Sequence, residues 1–426
     1  MKTENEILET RVVTARCLLV DPQSIDSCLG MGGYAALRKA LNRKPDDLIE
    51  EIRLSGLKGR GGAGFPSYSK LDAVRKIEAD TKYLVCNADE GEPGNFKDKY
   101  LLENDPHQLL EGMMIEAYLA GCTTGYIYIR GEYDLARTRI KRAVVQARER
   151  GYLGDKILGT DFCFDIQVKT GAGSYICGEE FALIESIEGK AGRPRNKPPY
   201  PTLSGVNNMP TVIGNVETIS NIPFIINHGH ARYTNIGTAS SSGTRLVSLS
   251  GNIRRPGVYE VPFGTSIREI VEILGQGVPE DRAIQMVQLG GASGPCIPPN
   301  MMDLKLDYAE FADAGLSMGS CAVIVIDDRY PVLDAVRLIT RFFKHESCGK
   351  CTPCREGIRQ MLRLLYKFQT CTATEADLSL LETLCDVMNR TSFCGLGQAT
   401  PTAILTTIRF FREEYLKGIK QVKATG

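Results

Sequence analysis

Cys348, Cys351 and Cys354, in Cys348-Gly-Lys-Cys351-Thr-Pro-Cys354, are the residues of this sequence best placed by type and spacing to do chemistry. Thiolates at C-x-x-C-x-x-C spacing reach three irons of one cubane face, and a distant fourth cysteine closes a 4Fe-4S site. Zinc also takes four thiolates, though usually from two separated C-x-x-C pairs. Unligated thiols are the bland alternative. Cys371, Cys385 and Cys394 compete for the fourth position. The first two fall within expected helices, where their neighbours suggest core packing. Cys394 lies in the loop SFCGLG, which lets a thiolate turn toward the metal, so it is the expected fourth ligand. The remaining eight of the fourteen cysteines are scattered and read as small buried hydrophobes.

Three loops could hold a ligand. Gly59-Arg60-Gly61-Gly62-Ala63-Gly64-Phe65-Pro66 satisfies G-x-G-x-x-G, but LIEEIRLSGLK before it reads as helix, so it is not an ordinary dinucleotide fingerprint. Four glycines in six residues still let backbone N–H groups approach a phosphate or a flat ring, with Lys58 and Arg60 adding positive charge. A flexible surface loop is the competing reading. Asn87-Ala-Asp89-Glu90-Gly91-Glu92-Pro93 follows an expected strand, where α/β sheets bind ligands, and its carboxylates could accept from ribose or ribityl hydroxyls. A solvated acidic turn competes with that. Gly171-Ala-Gly173-Ser-Tyr175-Ile-Cys177-Gly178-Glu179-Glu180 runs from strand to helix, which aims helix N–H groups at an anion. The paired glutamates also simply suit the helix dipole.

The elements that must position these loops are legible in outline. Residues up to about 52 read as helical. Tyr83–Cys86, Tyr126–Ile129 and Phe164–Val168 read as buried strands, alternating with helices over Leu109–Leu119 and Leu135–Ala147. That alternation predicts an α/β layer with a largely parallel sheet. The run YTNIGTASSSGT at 233–244 has linker composition. Beyond it, a hairpin, a short helix at Ser266–Leu274 and a strand at Ala322–Ile326 predict a small α+β module of β-grasp type. Helical periodicity at 332–345, 355–369, 375–390 and 401–416 predicts a four-helix bundle. The expected domains are therefore 1–240, 241–330 and 331–426.

Composition bounds the rest. The chain has 426 residues, with 51 Lys plus Arg against 51 Asp plus Glu, which argues against a nucleic-acid binder. No stretch approaches the roughly 20 apolar residues of a membrane span, and the opening MKTENEILETRVV has no signal-peptide core. A cytoplasmic protein without direct membrane insertion is expected, with reduced thiols.

GRGGAGFP, NADEGEPG, GAGSYICGEE, KPPYP, NVET and ESCGKCTPCREG together resemble the NADH-binding flavoprotein subunit of respiratory complex I and its relatives in NAD-linked or electron-bifurcating hydrogenases and formate dehydrogenases. The similarity runs from about Gly56 to Tyr415. It implies an α/β domain for FMN and NADH, a β-grasp domain and a helical bundle with one 4Fe-4S cluster. It also implies FMN held by Gly59, Arg60, Gly61, Gly62, Gly64, Lys70, Asn87, Asp89, Glu90, Gly178, Asn215 and Thr218. NADH would lie near Phe65, Glu92, Tyr175, Glu179, Glu180, Lys197 and Tyr200, with Glu92 and Tyr175 beside the reaction and Glu180 near the adenine-side ribose. An acid there would favour NADH over NADPH. Cys348, Cys351, Cys354 and Cys394 would hold the cluster, flanked by Lys350 and Arg355.

By the same resemblance, the chain would be the electron-entry subunit of a larger oxidoreductase, working with a small thioredoxin-like 2Fe-2S subunit and a larger iron–sulfur subunit. The complex could be peripheral on the cytoplasmic side of a membrane. Two departures stand out. The family continues GFPTGxKW and then an aromatic, whereas this chain reads Gly64-Phe65-Pro66-Ser67-Tyr68-Ser69-Lys70-Leu71-Asp72-Ala73, and Gly214 replaces the first asparagine of NNVET. They point to a divergent branch, a bifurcating, hydrogenase or formate dehydrogenase type of complex. The NADH-binding component of respiratory complex I is the first alternative. The second is a scaffold with flavin and cluster but weak nicotinamide binding. The sequence has no second C-x-x-C-x-x-C, so further clusters would sit in other subunits.

Overall fold

The structure, a computed structural model, describes residues 8–420. Three helices open it: α1 (Ile25–Gly30), α2 (Ala35–Leu41) and α3 (Pro45–Ser55). Pro45 in the first turn with Asp46 and Asp47, and a left-handed Gly56 after the last residue, are the start and stop signals expected for α3. Helix α4 (Ser67–Arg75) follows, so GRGGAGFP joins two helices and not a strand to a helix.

A four-stranded parallel sheet comes next, in the order β3-β2-β1-β4. Its strands are β1 (Tyr83–Ala88), β2 (Thr124–Ile129), β3 (Asp165–Thr170) and β4 (Thr211–Asn215). Helices α5 (Lys97–Asn104) and α6 (Pro106–Ala120) cross from β1 to β2, α7 (Asp134–Glu149) from β2 to β3, and α8 (Glu180–Ile187) from β3 to β4. The chain moves outward from β1 on one side and returns on the other. Such a switch point opens a crevice beyond the carboxyl ends of the two strands. Asn87 of β1 pairs with Asn215 of β4 there.

The period-2 geometry of β1 explains its two faces. Leu84, Cys86 and Ala88 enter a core shared with α6 and α9 (Val216–His228), while Val85 enters a second core with Phe181 and Ile184 of α8. Neither β4 nor α9 is marked by the sequence signals above. β4 is only five residues with a glycine, and α9 carries Pro223 inside a helix that is buried nearly throughout.

The short helix α10 (His230–Thr234) leads into the Ser/Thr/Gly run, which is exposed at Gly237, Ala239 and Ser240 yet tied down by hydrogen bonds. Thr238 and Ser240 donate to the Asp307 carboxylate, Ser241 is buried, and Thr244 already begins a strand. Small hydroxyl residues here satisfy a turn packed against the next unit. That unit holds β5 (Thr244–Gly251), β6 (Gly257–Pro262), β7 (Ile284–Leu289), β8 (Cys296–Ile297) and β9 (Ala322–Asp327) in the order β6-β5-β9-β7-β8. Only β5 and β9 are parallel. The expected helix at 266–274 is a single α-turn, α11 (Ile267–Glu269), with a Ser266–Glu269 capping box, running on as a π-turn. Helix α12 (Tyr308–Asp313) precedes β9.

The last part is helical: α13 (Val332–Glu346), α14 (Thr352–Gln369), α15 (Glu375–Thr391), α16 (Gly395–Ala399), α17 (Thr402–Phe410) and α18 (Arg412–Lys417). The fourth expected segment is thus split, with Pro401 before α17 and a non-helical Phe411 after it. Ile358, Met361, Leu365 and Phe368 of α14 pack with Cys385 and Met388 of α15 in the second core. No described helix is long and apolar enough to cross a membrane.

Candidate functional site

Two adjoining cavities of about 370 and 390 Å³ occupy the crevice at the ends of β1 and β4. Gly61, Ala63, Asn87, Gly178, Glu179, Asn215 and Gly395 line both. The first is acidic, with Asp89, Glu90, Glu92 and Asp98 beside Lys97 and Tyr175. The second is walled by Gly59, Gly64, Phe65, Lys70, Glu116, Glu180, Lys197 and Thr218. Of the expected flavin and nicotinamide residues, three line neither cavity. Arg60 is fully buried and turned inward, bonding the Tyr233 hydroxyl at 3.1 Å and the Ser242 carbonyl at 3.0 Å. Gly62 packs toward Gly319, and Tyr200 is exposed. Lys58 is also occupied elsewhere, on the Ser240 carbonyl and over the Tyr308 ring. The positive charge of the glycine loop therefore serves packing.

Backbone shape explains why the loop must be glycine-rich. Gly64 has φ +63°, and a Cβ on it would stand 2.7 Å from the Tyr308 ring. At Gly395 a Cβ would meet nothing within 4 Å, so it would project into open space where both cavities meet.

A buried charge network supports the crevice from below. Lys97 Nζ lies 2.7 Å from Asp98 and 3.0 Å from Glu217, with Arg245 and Arg60 further out around Glu217. Burial alone would lower the Lys97 ammonium, but Asp98, Glu217 and Glu90 outweigh it and raise it. Asp98 also accepts from Asn215 Nδ2 at 2.7 Å, while Asn215 Oδ1 caps α9. Both polar ends of Asn215 are thereby fixed at the cavity wall.

The acidic residues divide by role. Glu90 caps α5, accepting from the Asp98 and Lys99 N–H groups at 3.0 and 2.9 Å. Glu92 accepts from Ser293 N–H at 2.8 Å and from the Ser320 and Tyr175 hydroxyls. Asp89 is different: burial pushes its carboxyl up to about 7, and its Oδ2 has no hydrogen-bond partner. A ligand hydroxyl would satisfy it.

At the second glycine loop the anion at the helix start is the chain's own. Glu179 accepts from Phe181 and Ala182 N–H at 3.0 Å each, closing the α8 terminus to an external phosphate. Glu180 is flanked by Lys70 at 3.0 Å and Lys197 at 3.0 Å. Burial would raise its carboxyl, but the two lysines win and lower it.

The four expected metal ligands come together. Cys348, Cys351, Cys354 and Cys394 surround one small space with Ile176, Pro194, Lys350, Phe393 and Leu396. Cys371 is exposed and Cys385 lies in the helical core, so neither takes part. Cys351 and Cys394 occupy N-cap positions of α14 and α16. Burial raises the Cys394 thiol, with the Gly397 and Leu396 N–H groups pulling the other way. Burial pushes the Cys354 thiol up to about 11, so ligation has to displace its proton. No three His, Cys, Asp or Glu among the described residues converge on a single-ion site. The four thiols ring one space, the donor set that a 4Fe-4S cluster takes. Lys350 Nζ holds the Pro194 carbonyl at 2.6 Å and sits over Phe393, while Arg355 holds the Gly349 carbonyl.

Ile176 and Leu396 line both the acidic cavity and the four-cysteine space. Glu346, at the end of α13, accepts from the Tyr175 N–H at 2.9 Å and ties the glycine loop to the cysteine segment. Sequence reasoning missed Glu116, Asn95, Lys97, Asp98, Ser320, Gly395 and Leu396 as wall residues. Lys97 and Asp98 follow NADEGEPG closely enough to be suspected. Ser320 comes from the other sheet's unit and carries no local signal.

Comparison with known proteins accords with this geometry. Residues 52–224 match the Nuo51 FMN-binding domain, and 334–418 match the NADH-ubiquinone oxidoreductase-F iron-sulfur binding region. The F 2 subunit of the NADH-quinone oxidoreductase of Rhizobium meliloti (strain 1021) is 45% identical over 92% of this chain and 93% of its own length. HndC, a subunit of the NADP-reducing hydrogenase of Solidesulfovibrio fructosivorans, is 43% identical over 97% of this chain and 84% of its own. An NAD+-reducing nickel–iron hydrogenase in the H2-reduced state superposes with TM-score 0.83 at 34% identity, covering 92% of this chain and 65% of that one. The chain thus spans just under two thirds of that hydrogenase chain's length. With a switch-point crevice walled by glycines and a four-thiol site one residue layer away, the chain belongs to the family of the NADH-quinone oxidoreductase F subunits and their hydrogenase relatives.

Proposed function

We propose that this protein is the electron-entry subunit of a multisubunit oxidoreductase, exchanging a hydride between NADH and FMN and passing single electrons through a 4Fe-4S cluster to partner subunits. The observation that carries this reading is the shared wall: Ile176 and Leu396 border the ligand cavity on one side and the four cysteines on the other. The residues fit a flavin mononucleotide, because the orphaned Asp89 oxygen suits a polyol hydroxyl and the bare Gly61, Gly178 and Gly395 leave room for a flat ring. Four thiols around one space fit the cluster. When bound, the flavin supplies hydride acceptance with single-electron release, and the cluster supplies one-electron transfer.

The chain's own residues set the geometry. Asn87 and Asn215 stand side by side at the strand ends, Asn215 fixed by Asp98 and its helix cap. Tyr175, held by Glu346 and by the Glu92 carboxylate at 3.4 Å, forms a wall over the acidic cavity as the family would require of a nicotinamide contact. Gly59, Gly61, Gly64, Lys70, Asn87, Asp89, Glu90, Gly178, Asn215 and Thr218 are proposed flavin contacts. Phe65, Glu92, Glu179, Glu180 and Lys197 are proposed on the nicotinamide side. Arg60, Gly62 and Tyr200, also implied by the resemblance, line neither cavity, and Arg60 packs inward on Tyr233 and Ser242.

In this reading the domains are 1–240, 241–330 and 331–426. The strand order β6-β5-β9-β7-β8 supports a β-grasp middle domain, and α13–α15 with the split last segment support a bundle of four-helix type. The partners are a small thioredoxin-like 2Fe-2S subunit and a larger iron–sulfur subunit, in a cytoplasmic complex of hydrogenase, formate dehydrogenase or bifurcating type. Anaerobic purification is expected to give about one flavin and four irons per chain. Flavin without iron would overturn the cluster assignment.

Nicotinamide choice turns on Glu180. Its carboxylate neutralises Lys70 and Lys197. Glu180→Gln should release Lys70 from its ion pair and leave Lys197 paired with Glu179, at 2.9 Å, making the pocket more welcoming to a 2′-phosphate and eroding discrimination against NADPH about tenfold, equivalent to about 1.4 kcal/mol in relative kcat/KM. Unchanged selectivity would remove Glu180 from that role.

A further inference from the structure

One carboxyl in the second cavity wall has no partner. Glu116 lies on α6, inside the domain's main helical layer, and is 3% exposed. It lines the cavity with Lys70, Leu71, Val212, Ile213 and Gly214. Its Oε2 is buried without a hydrogen bond. The nearest cation does not relieve it, since Lys70 Nζ is engaged by Glu180 at 3.0 Å and by the Ile213 carbonyl at 3.1 Å. The carboxyl lies beside Gly214 of β4: a Cβ there would stand 3.5 Å from Glu116 Oε2, in ordinary contact, and 2.9 Å from the end of Ile219. Buried polar groups almost always find a partner, so a solitary one on a cavity wall points to a ligand atom.

We propose that Glu116 is a cofactor-contacting residue, whose carboxyl completes its hydrogen bonding on an acceptor atom of the flavin bound in this cavity. The inference rests on the flavin reading above. Burial pushes the carboxyl up to about 8, with Lys70 pulling the other way. Below that pH the group offers an O–H donor, which suits the acceptor atoms of the flavin ring, its two carbonyl oxygens, N1 and N5, and not its one donor, N3–H. Above it, a carboxylate would face those same acceptors and repel them.

The titratable groups facing Glu116 are Lys70 on α4, Cys86 on β1 and Cys122 just past its own helix. Burial raises both thiols, Cys122 to about 12, so they stay neutral up to pH 9. Asp89 and Glu90, also raised, line the adjoining cavity and titrate alike whatever stands at 116.

The test uses the full chain with its cluster, stripped of flavin and titrated with FMN by fluorescence quenching from pH 7 to pH 9. The ratio of the wild-type Kd to the Glu116→Gln Kd should rise about tenfold over that range, because only the wild type loses its donor. A constant ratio would overturn the proposal while leaving the flavin reading intact. Failure of both proteins to bind FMN would instead overturn the flavin reading. Calorimetry of the wild type alone, in buffers of different ionisation enthalpy, needs no variant. FMN binding should take up about one proton at pH 9, and no uptake would contradict the proposal.

Discussion

Replacing Cys354 with alanine is expected to abolish the cluster and loosen the helices around it. Cys354 sits in the first turn of α14, in contact with the Ser347 hydroxyl and against Gly397 of α16. The other three ligands come from the segment before α14 and from the start of α16. A cluster bound by all four therefore staples α13, α14 and α16, and much of its binding free energy is folding free energy of that region. The alanine itself removes only one sulfur from a mostly buried site, a small packing loss. Iron should fall from about four per chain to near zero, with the cluster's visible absorbance, and the helical part should become protease-sensitive. An unchanged cluster spectrum would contradict the ligand set.

Lys97→Met should be the most destabilising change that leaves the cysteines alone. Lys97 has no exposure and stands between Asp98 and Glu217, both buried. Arg245 at 3.8 Å and Arg60 at 4.0 Å would still act on Glu217, so the charge left uncompensated is chiefly that of Asp98. Removing one partner of a buried pair leaves an uncompensated charge, at a cost of about 3–5 kcal/mol. The effect should reach the cofactor as well, because Asp98 would lose its cation while still holding Asn215. Denaturant unfolding followed through flavin release should show both losses together. A change below about 1 kcal/mol would mean that the network is not a unit.

The sequence carries the local rules well and the long-range ones poorly. The C-x-x-C-x-x-C spacing and the loop position of Cys394 identify the four thiols that the fold gathers. Strand alternation locates β1, β2 and β3 to within a few residues: β1 and β2 are largely buried runs between turns, whereas β3 lies at the sheet edge with only Ile166 buried. β4 and α9 are hidden by a glycine and an internal proline, which local propensity counts as breakers but burial tolerates. Arg60 reads as a phosphate ligand in the sequence because charge beside glycines suggests one. Its inward turn depends on Tyr233, Ser242 and Phe263, residues about two hundred positions away. For Glu179 the sequence leaves a ligand role and a helix-dipole role open, and the fold shows its carboxylate capping its own helix at the cavity wall. Glu116 gives no signal, since it is one of two acids, with Glu111, in a largely apolar helix, and only the fold shows that Glu111 is hydrogen-bonded and Glu116 Oε2 is not.

In the proposed function one chain takes electrons from NADH at the crevice and delivers them past Ile176 and Leu396 to the four-cysteine site. Anaerobic rapid mixing of the purified protein with NADH tests it most directly, following the flavin absorbance optically and the cluster by electron paramagnetic resonance on frozen samples. The flavin should bleach first, and the signal of the reduced cluster should then grow in the same chain. A flavin that NADH leaves oxidised, or a cluster that dithionite reduces but NADH never reaches, would contradict the account.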